Sequence, residues 1–87
     1  MIYEVEVSEA AKDFLLSIGK ADAKRIGKKI DKLEENPRPA GVEKLSGEEN
    51  IYRVRSGDYR IIYTIEDKIL HVLVLKVGHR KEVCRKL

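Results

Sequence analysis

The chain opens on a strict alternation. In "IYEVEV", Ile2, Glu4 and Glu6 fall on one side and Tyr3, Val5 and Val7 on the other, the period-two signature of a half-buried strand. The period then lengthens. Ala11, Phe14, Leu15 and Ile18 recur at i, i+3, i+4 and i+7, which predicts a helix with one apolar stripe. Ser8 stands where an N-cap hydroxyl belongs, with Glu9 in the first turn, and Gly19 is a natural stop. A second stripe of Ala23, Ile26, Ile30 and Leu33 predicts another helix from about Asp22 to Asn36, ended by Pro37 because the residue before proline avoids helical angles. Gly27 beside that stripe would allow a close helix–helix approach. The short connection makes the pair an antiparallel helical hairpin.

Beyond the linker "NPRPAGVEKLSG" the pattern returns to strands. A short strand is expected at 42–45, and longer ones at 51–55, 59–66 and 69–77. Gly57-Asp58 turns the first long pair and Asp67-Lys68 the second. The segment "ILHVLVLKV" is apolar at both parities, which reads as a central strand covered on both faces, broken by Gly78. The order predicts an α+β fold: an N-terminal strand, an antiparallel helical hairpin, then three to four antiparallel strands in a twisted sheet packed on the helices. With 87 residues this is a single domain, 1–87.

Composition narrows the class. The chain is 43% hydrophobic and 38% charged, a globular balance rather than a disordered one. The single cysteine, Cys84, excludes an internal disulfide framework and fits a reducing, cytoplasmic setting. No apolar run is long enough to span a bilayer, and the first residues lack the features of a secretion signal, so no membrane partner is expected. Charge is unevenly spread. Residues 1–50 hold nine Lys/Arg against eleven Asp/Glu, and residues 51–87 hold nine against four. A basic half built on strands points to an anionic ligand, nucleic acid first. Lys24, Lys28 and Lys32 form a row on the second helix, read as a solvated face or as a secondary phosphate-contacting surface.

The stretch "YRVRSGDYRIIY" carries the sharpest chemistry. A two-residue Gly-Asp loop sets Arg55 opposite Arg60, Val54 opposite Ile61, Arg53 opposite Ile62 and Tyr52 opposite Tyr63. Tyr52, Val54, Tyr59, Ile61, Tyr63 and Ile65 then share one face, and Arg53, Arg55 and Arg60 the other. A slip of one residue would mix the sets and bury an arginine. Like charges directly opposite on a sheet repel, so the hairpin is shaped to hold an anion, and the guanidinium fork suits phosphate. The competing account is that Asp58 or a glutamate of "LSGEEN" neutralises the arginines. In "GHRK", Arg80 adds a further cation and His79 a group able to move protons near neutral pH.

Together, "KLSG", "YRVRSGDYRIIYTIED" and "VLKVGHRKEVCR" resemble the RelE/ParE toxin superfamily, in its RelE-like branch, over nearly the whole chain. The resemblance implies a small α+β toxin of a type II toxin–antitoxin system. It implies cleavage of messenger RNA in the ribosomal A site with no metal or other cofactor, and suppression by a cognate RelB-like antitoxin. By position, Arg53 and Arg55 match basic strand positions often occupied by lysine, Arg60 matches an arginine opening the next strand, and Arg80 matches the arginine after the last strand. The family tyrosine of the C-terminal segment falls on Cys84, which cannot stack on a base. That departure implies reduced activity carried by the arginines and His79, a Cys84 thiolate acting as base, or RNA binding without efficient cleavage. Cys84 also reads simply as a small apolar anchor beside Val83 and Leu87. Two further readings share the scaffold: a ParE-type inhibitor of DNA gyrase, and a weakened member that mainly binds its antitoxin.

Overall fold

The structure, a computed structural model, describes residues 2–45 and 50–79. Strand β1 (Glu4–Val7) is followed by helices α1 (Glu9–Ser17) and α2 (Lys20–Lys32), then by β2 (Glu43–Lys44), β3 (Ile51–Ser56), β4 (Tyr59–Glu66) and β5 (His71–His79). The strands form one sheet in the order β1-β5-β4-β3-β2. The sheet thus has five strands, not three to four, and is mixed: β1 pairs parallel with β5 while every other pair is antiparallel. Four residues of alternating sequence specify a strand but not its neighbour, so this pairing was not legible in advance.

Both helices contribute to a single core on one face of the sheet. Ala11 of α1 and Ile26 and Ile30 of α2 pack with Tyr52, Val54, Ile61, Tyr63, Ile65, Val72, Val74 and Val77. Truncating one of the fully buried isoleucines, Ile26, Ile61 or Ile65, to alanine costs about 2–5 kcal/mol. Ser8 does cap α1, accepting from the Ala11 N–H at 3.2 Å. Gly19, however, is not a left-handed stop. It has extended backbone and serves as N-cap of α2, which begins at Lys20 rather than Asp22. Gly27 is not a close-approach point either, since a Cβ built there has nothing within 4 Å.

The predicted register of β3 and β4 is the observed one: Arg55 opposite Arg60, Val54 opposite Ile61, Arg53 opposite Ile62, Tyr52 opposite Tyr63. Gly57 supplies the left-handed residue of the two-residue turn, at φ 61°, as a type II′ hairpin requires. The β4–β5 connection is a short 3₁₀ turn, Asp67–Ile69, closed by Leu70 at φ 50°. Strand β5 is interior, but β4 is the middle strand. Only one face of β5 is fully buried, and the strand continues through Gly78 instead of ending there.

Polar clamps fix the sheet to its surroundings. Arg38, from the linker after α2, grips Asp67 with both guanidinium nitrogens, at 2.8 and 3.2 Å, and lies over the Tyr52 ring. The Tyr3 hydroxyl donates to the same carboxylate at 2.6 Å. At the other end of the sheet the Tyr59 hydroxyl donates to Asp22 at 3.0 Å. Asp22 also pairs with Arg25, whose guanidinium lies over Gly57. The first two turns of α2 therefore hold the hairpin tip that carries Arg55 and Arg60.

Candidate functional site

The face of the sheet turned away from the helices is built in rows by the strand register. One row reads Glu43, Arg53, Ile62, Lys76 across β2, β3, β4 and β5, and the next reads Arg55, Arg60, Gly78. The strands lie about 4.8 Å apart, and residues two apart on a strand repeat at about 6.6 Å. Arg53, Arg55, Arg60 and Lys76 therefore share a compact patch. Gly78 places no side chain opposite Arg60, which leaves room above the sheet there.

One carboxylate enters this patch. Glu43 Oε1 lies 3.0 Å from an Arg53 guanidinium nitrogen and 3.9 Å from one of Arg60. Among the described residues the carboxylate beside the arginines is this one from β2, and Asp58 of the turn makes no ion pair with them; Glu48 and Glu49 of "LSGEEN" lie outside the described residues. Among the described residues the neutralisation is incomplete. Arg55 is exposed and makes no ion pair with a described residue. Arg60 is held close, with its side chain only 17% exposed, and its Nε is buried without a hydrogen-bond partner among the described residues. A buried donor of this kind is rarely left unsatisfied. An anionic oxygen over the Arg55–Arg60 row would complete it.

The predicted site residues separate into three groups. Arg53, Arg55 and Arg60 are brought together as expected. His79 is not with them. It pairs with Tyr59 at the end of β5, on the helix-facing side, and its ring meets the Tyr59 ring edge-on at 5.4 Å between centroids. Tyr59 in turn meets Phe14 of α1 edge-on at 5.9 Å. Arg80 and Cys84 lie outside the described residues. Sequence reasoning missed two members of the patch. Glu43 sits in a two-residue strand too short to show alternation. Lys76 has the parity of Val72 and Val74 and would have been placed in the core. A lysine at a core parity was the available signal that the alternation breaks between them.

The chemistry this face can perform is set by its residue types. Guanidinium groups bind phosphate oxygens and stabilise charge that develops on them, but they do not act as bases because they stay protonated in proteins. Glu43 is a carboxylate set among them and is able to accept a proton. No helix among the described residues is long and apolar enough to cross a membrane.

Comparison with known proteins agrees with this layout. The family model described as ParE toxin of type II toxin-antitoxin system, parDE, matches residues 5–84. The mRNA interferase toxin RelE of Escherichia coli K12 is 30% identical over 83 residues, spanning 93% of this chain and 86% of that one. Among solved structures, the archaeal RelE–RelB complex from Pyrococcus horikoshii superposes with a TM-score of 0.82 at 35% identity, over 92% of this chain and 97% of that one. The intact E. coli RelBE toxin–antitoxin complex superposes at 0.74 and 30% identity, over 88% and 95%.

Proposed function

The chain belongs to the RelE/ParE family of toxins from type II toxin–antitoxin systems, and from that premise we propose that it is a ribosome-dependent endoribonuclease that cleaves messenger RNA in the A site. The observation that carries the reading is a basic face that the described residues neutralise only in part, with an Arg60 Nε that finds no hydrogen-bond partner among them. That arrangement suits an anion, and a backbone phosphate fits it.

The reaction is an in-line transesterification. The 2′-oxygen of one nucleotide forms a bond to the adjacent phosphorus while the bond from phosphorus to O5′ breaks, leaving a 2′,3′-cyclic phosphate and a 5′-hydroxyl. Arg55 and Arg60 flank the phosphate and carry the charge that builds on its non-bridging oxygens. Arg53 holds Glu43 in place, at 3.0 Å, and Glu43 takes the proton of the 2′-hydroxyl. The departing O5′ acquires a proton from solvent or from the segment that includes His79, Arg80 and Cys84. Arg80 adds positive charge, and Cys84 replaces an aromatic group that would orient the base, which slows the reaction. No metal takes part in this scheme.

The partner is a RelB-like antitoxin, by analogy with the relatives solved as RelE–RelB complexes. Gyrase inhibition of the ParE type is less favoured, because it gives the arginine patch no task and the similar proteins carry RelE names.

Primer extension on messenger RNA after induced expression tests the function. The wild type should generate new in-frame ends, Cys84→Tyr should generate more, and Arg60→Ala with Arg80→Ala should generate none. A folded double variant that still cuts like the wild type would sink the site assignment. Co-expression with the neighbouring reading frame, followed by sizing, tests the partner.

A further inference from the structure

Lys76 reaches the arginine face only because β5 is irregular. Val72 and Val74 point into the core, and simple alternation would send Lys76 after them. Instead the register steps from Tyr63 opposite Val74 to Ile62 opposite Lys76, with Leu75 left over. This is a β-bulge, which inserts one residue and inverts the parity of the rest of the strand. Lys76 emerges in the row of Arg53 and diagonal to Arg60. It is half-buried and makes no ion pair with a described residue. Ile62, flanked by Arg53 and Lys76 in its row and by Arg60 along its strand, is 1% exposed despite standing on the side away from the helices. Long basic stems cover apolar surface in this way while keeping their charged ends at the rim.

The bulge is held by the start of α1. The Ser8 hydroxyl donates to the Leu75 carbonyl at 2.7 Å, and the Ser8 N–H donates to the Val74 carbonyl at 2.9 Å. The same hydroxyl oxygen accepts the capping bond from Ala11. One serine thus ties the helix N-terminus to the irregular residue that sets the direction of Lys76.

We propose that Lys76 binds a second phosphate of the RNA strand, next to the one gripped by Arg55 and Arg60, and that Ser8 is the positioning residue that keeps Lys76 there. The inference rests on the RNA-cleavage reading and extends it to the substrate flanking the cut. The two cationic rows are about 6.6 Å apart, a spacing suited to neighbouring phosphates of one extended strand. Lysine fits a flanking phosphate because it acts as a point charge with no demand for planar alignment.

The test is equilibrium binding of the purified protein to a fluorescent RNA oligonucleotide carrying a 2′-deoxy group at the cleaved position, over a series of salt concentrations. Each phosphate contact on a single strand contributes about 0.7 to the slope of log affinity against log salt. Lys76→Ala should lower that slope by about 0.7 and the affinity by about tenfold. Lys76→Arg should restore the slope, and Lys68→Ala, away from the patch, should leave it unchanged. On programmed ribosomes Lys76→Ala should raise KM far more than it lowers kcat. Ser8→Ala should lower the slope like Lys76→Ala, and Ser8→Thr should retain it. A folded Lys76→Ala protein with the wild-type slope overturns the second-phosphate site while leaving the nuclease reading standing. A Ser8→Ala protein with the wild-type slope overturns the positioning role. A wild type that fails to bind the oligonucleotide and fails to cut on ribosomes overturns the RNA reading and this inference together.

Discussion

Replacing Glu43 by glutamine separates two roles that one carboxylate could play among the arginines. As a counter-ion, Glu43 competes with RNA phosphate, and its loss should strengthen both binding and cutting. As the proton acceptor, its loss should strengthen binding but slow cutting. The structural cost is small. The Glu43 side chain is 59% exposed and that of Arg53 is 21% exposed, so water screens much of their attraction. A pair of this kind contributes about 0.2–1 kcal/mol. In a domain of this size about 1 kcal/mol moves Tm by about 4–8 °C, so Glu43→Gln should lose a few degrees and remain folded at assay temperature. Inorganic phosphate should return those degrees by taking the vacated place between the arginines. The catalytic cost is larger, because a general base contributes about 10²–10⁴-fold to rate. The assay is single-turnover cleavage of messenger RNA on stalled ribosomes, run beside oligonucleotide binding. Tighter binding with a rate reduced by at least about a hundredfold is the expected pattern. A Glu43→Gln protein that binds more tightly and cuts as fast as the wild type refutes the assignment of Glu43 as base and leaves it a counter-ion.

The same structure sets the outcome of other perturbations. Gly27→Ala, in an open stretch of α2, should stabilise the fold by about 0.8–1 kcal/mol, seen as a raised urea midpoint. The bonds from Arg38 and then Tyr3 hold the Asp67 carboxyl at about 2, below the usual carboxylate range. A depressed folded-state value gives stabilisation that is complete above the unfolded value near about 4 and disappears as pH falls toward about 2. Asp67→Asn should therefore flatten the stability profile in that window and lower stability at neutral pH. Tyr63→Phe removes a buried hydroxyl that donates to the Pro37 carbonyl at 2.7 Å, and leaving that carbonyl unsatisfied should cost about 1–3 kcal/mol with cleavage intact in the folded protein.

How much of the fold and the patch was legible in the sequence depended on whether a pattern was long enough to fix its own phase. The β3–β4 pair was legible to the residue, because six apolar and three arginine positions leave a single register that buries no charge. The Ser8 cap was legible because helix starts have a local chemistry. The parallel β1–β5 pair was not, since alternation in β1 says which face is buried and nothing about which strand lies alongside. The face of Lys76 was not legible for a related reason: period-two reasoning assumes an unbroken strand, and the bulge is bonded to a serine 67 residues away in sequence. Glu43 came from a strand of two residues, below the length at which any period is visible. The arginines of the hairpin were found, and the groups that complete their patch were supplied by tertiary contacts.

The position of β5 between β1 and β4 has a consequence for the timing of synthesis. The hairpin bearing the three arginines is local and can form early, but β1 has no strand to pair with until β5 has emerged from the ribosome. Closing a sheet through such distant partners is the slow part of folding. The bulge, and with it the Lys76 end of the second cationic row, therefore waits until β5 has been made. The hairpin thus comes first, and the basic face it begins is completed only when β5 pairs beside it.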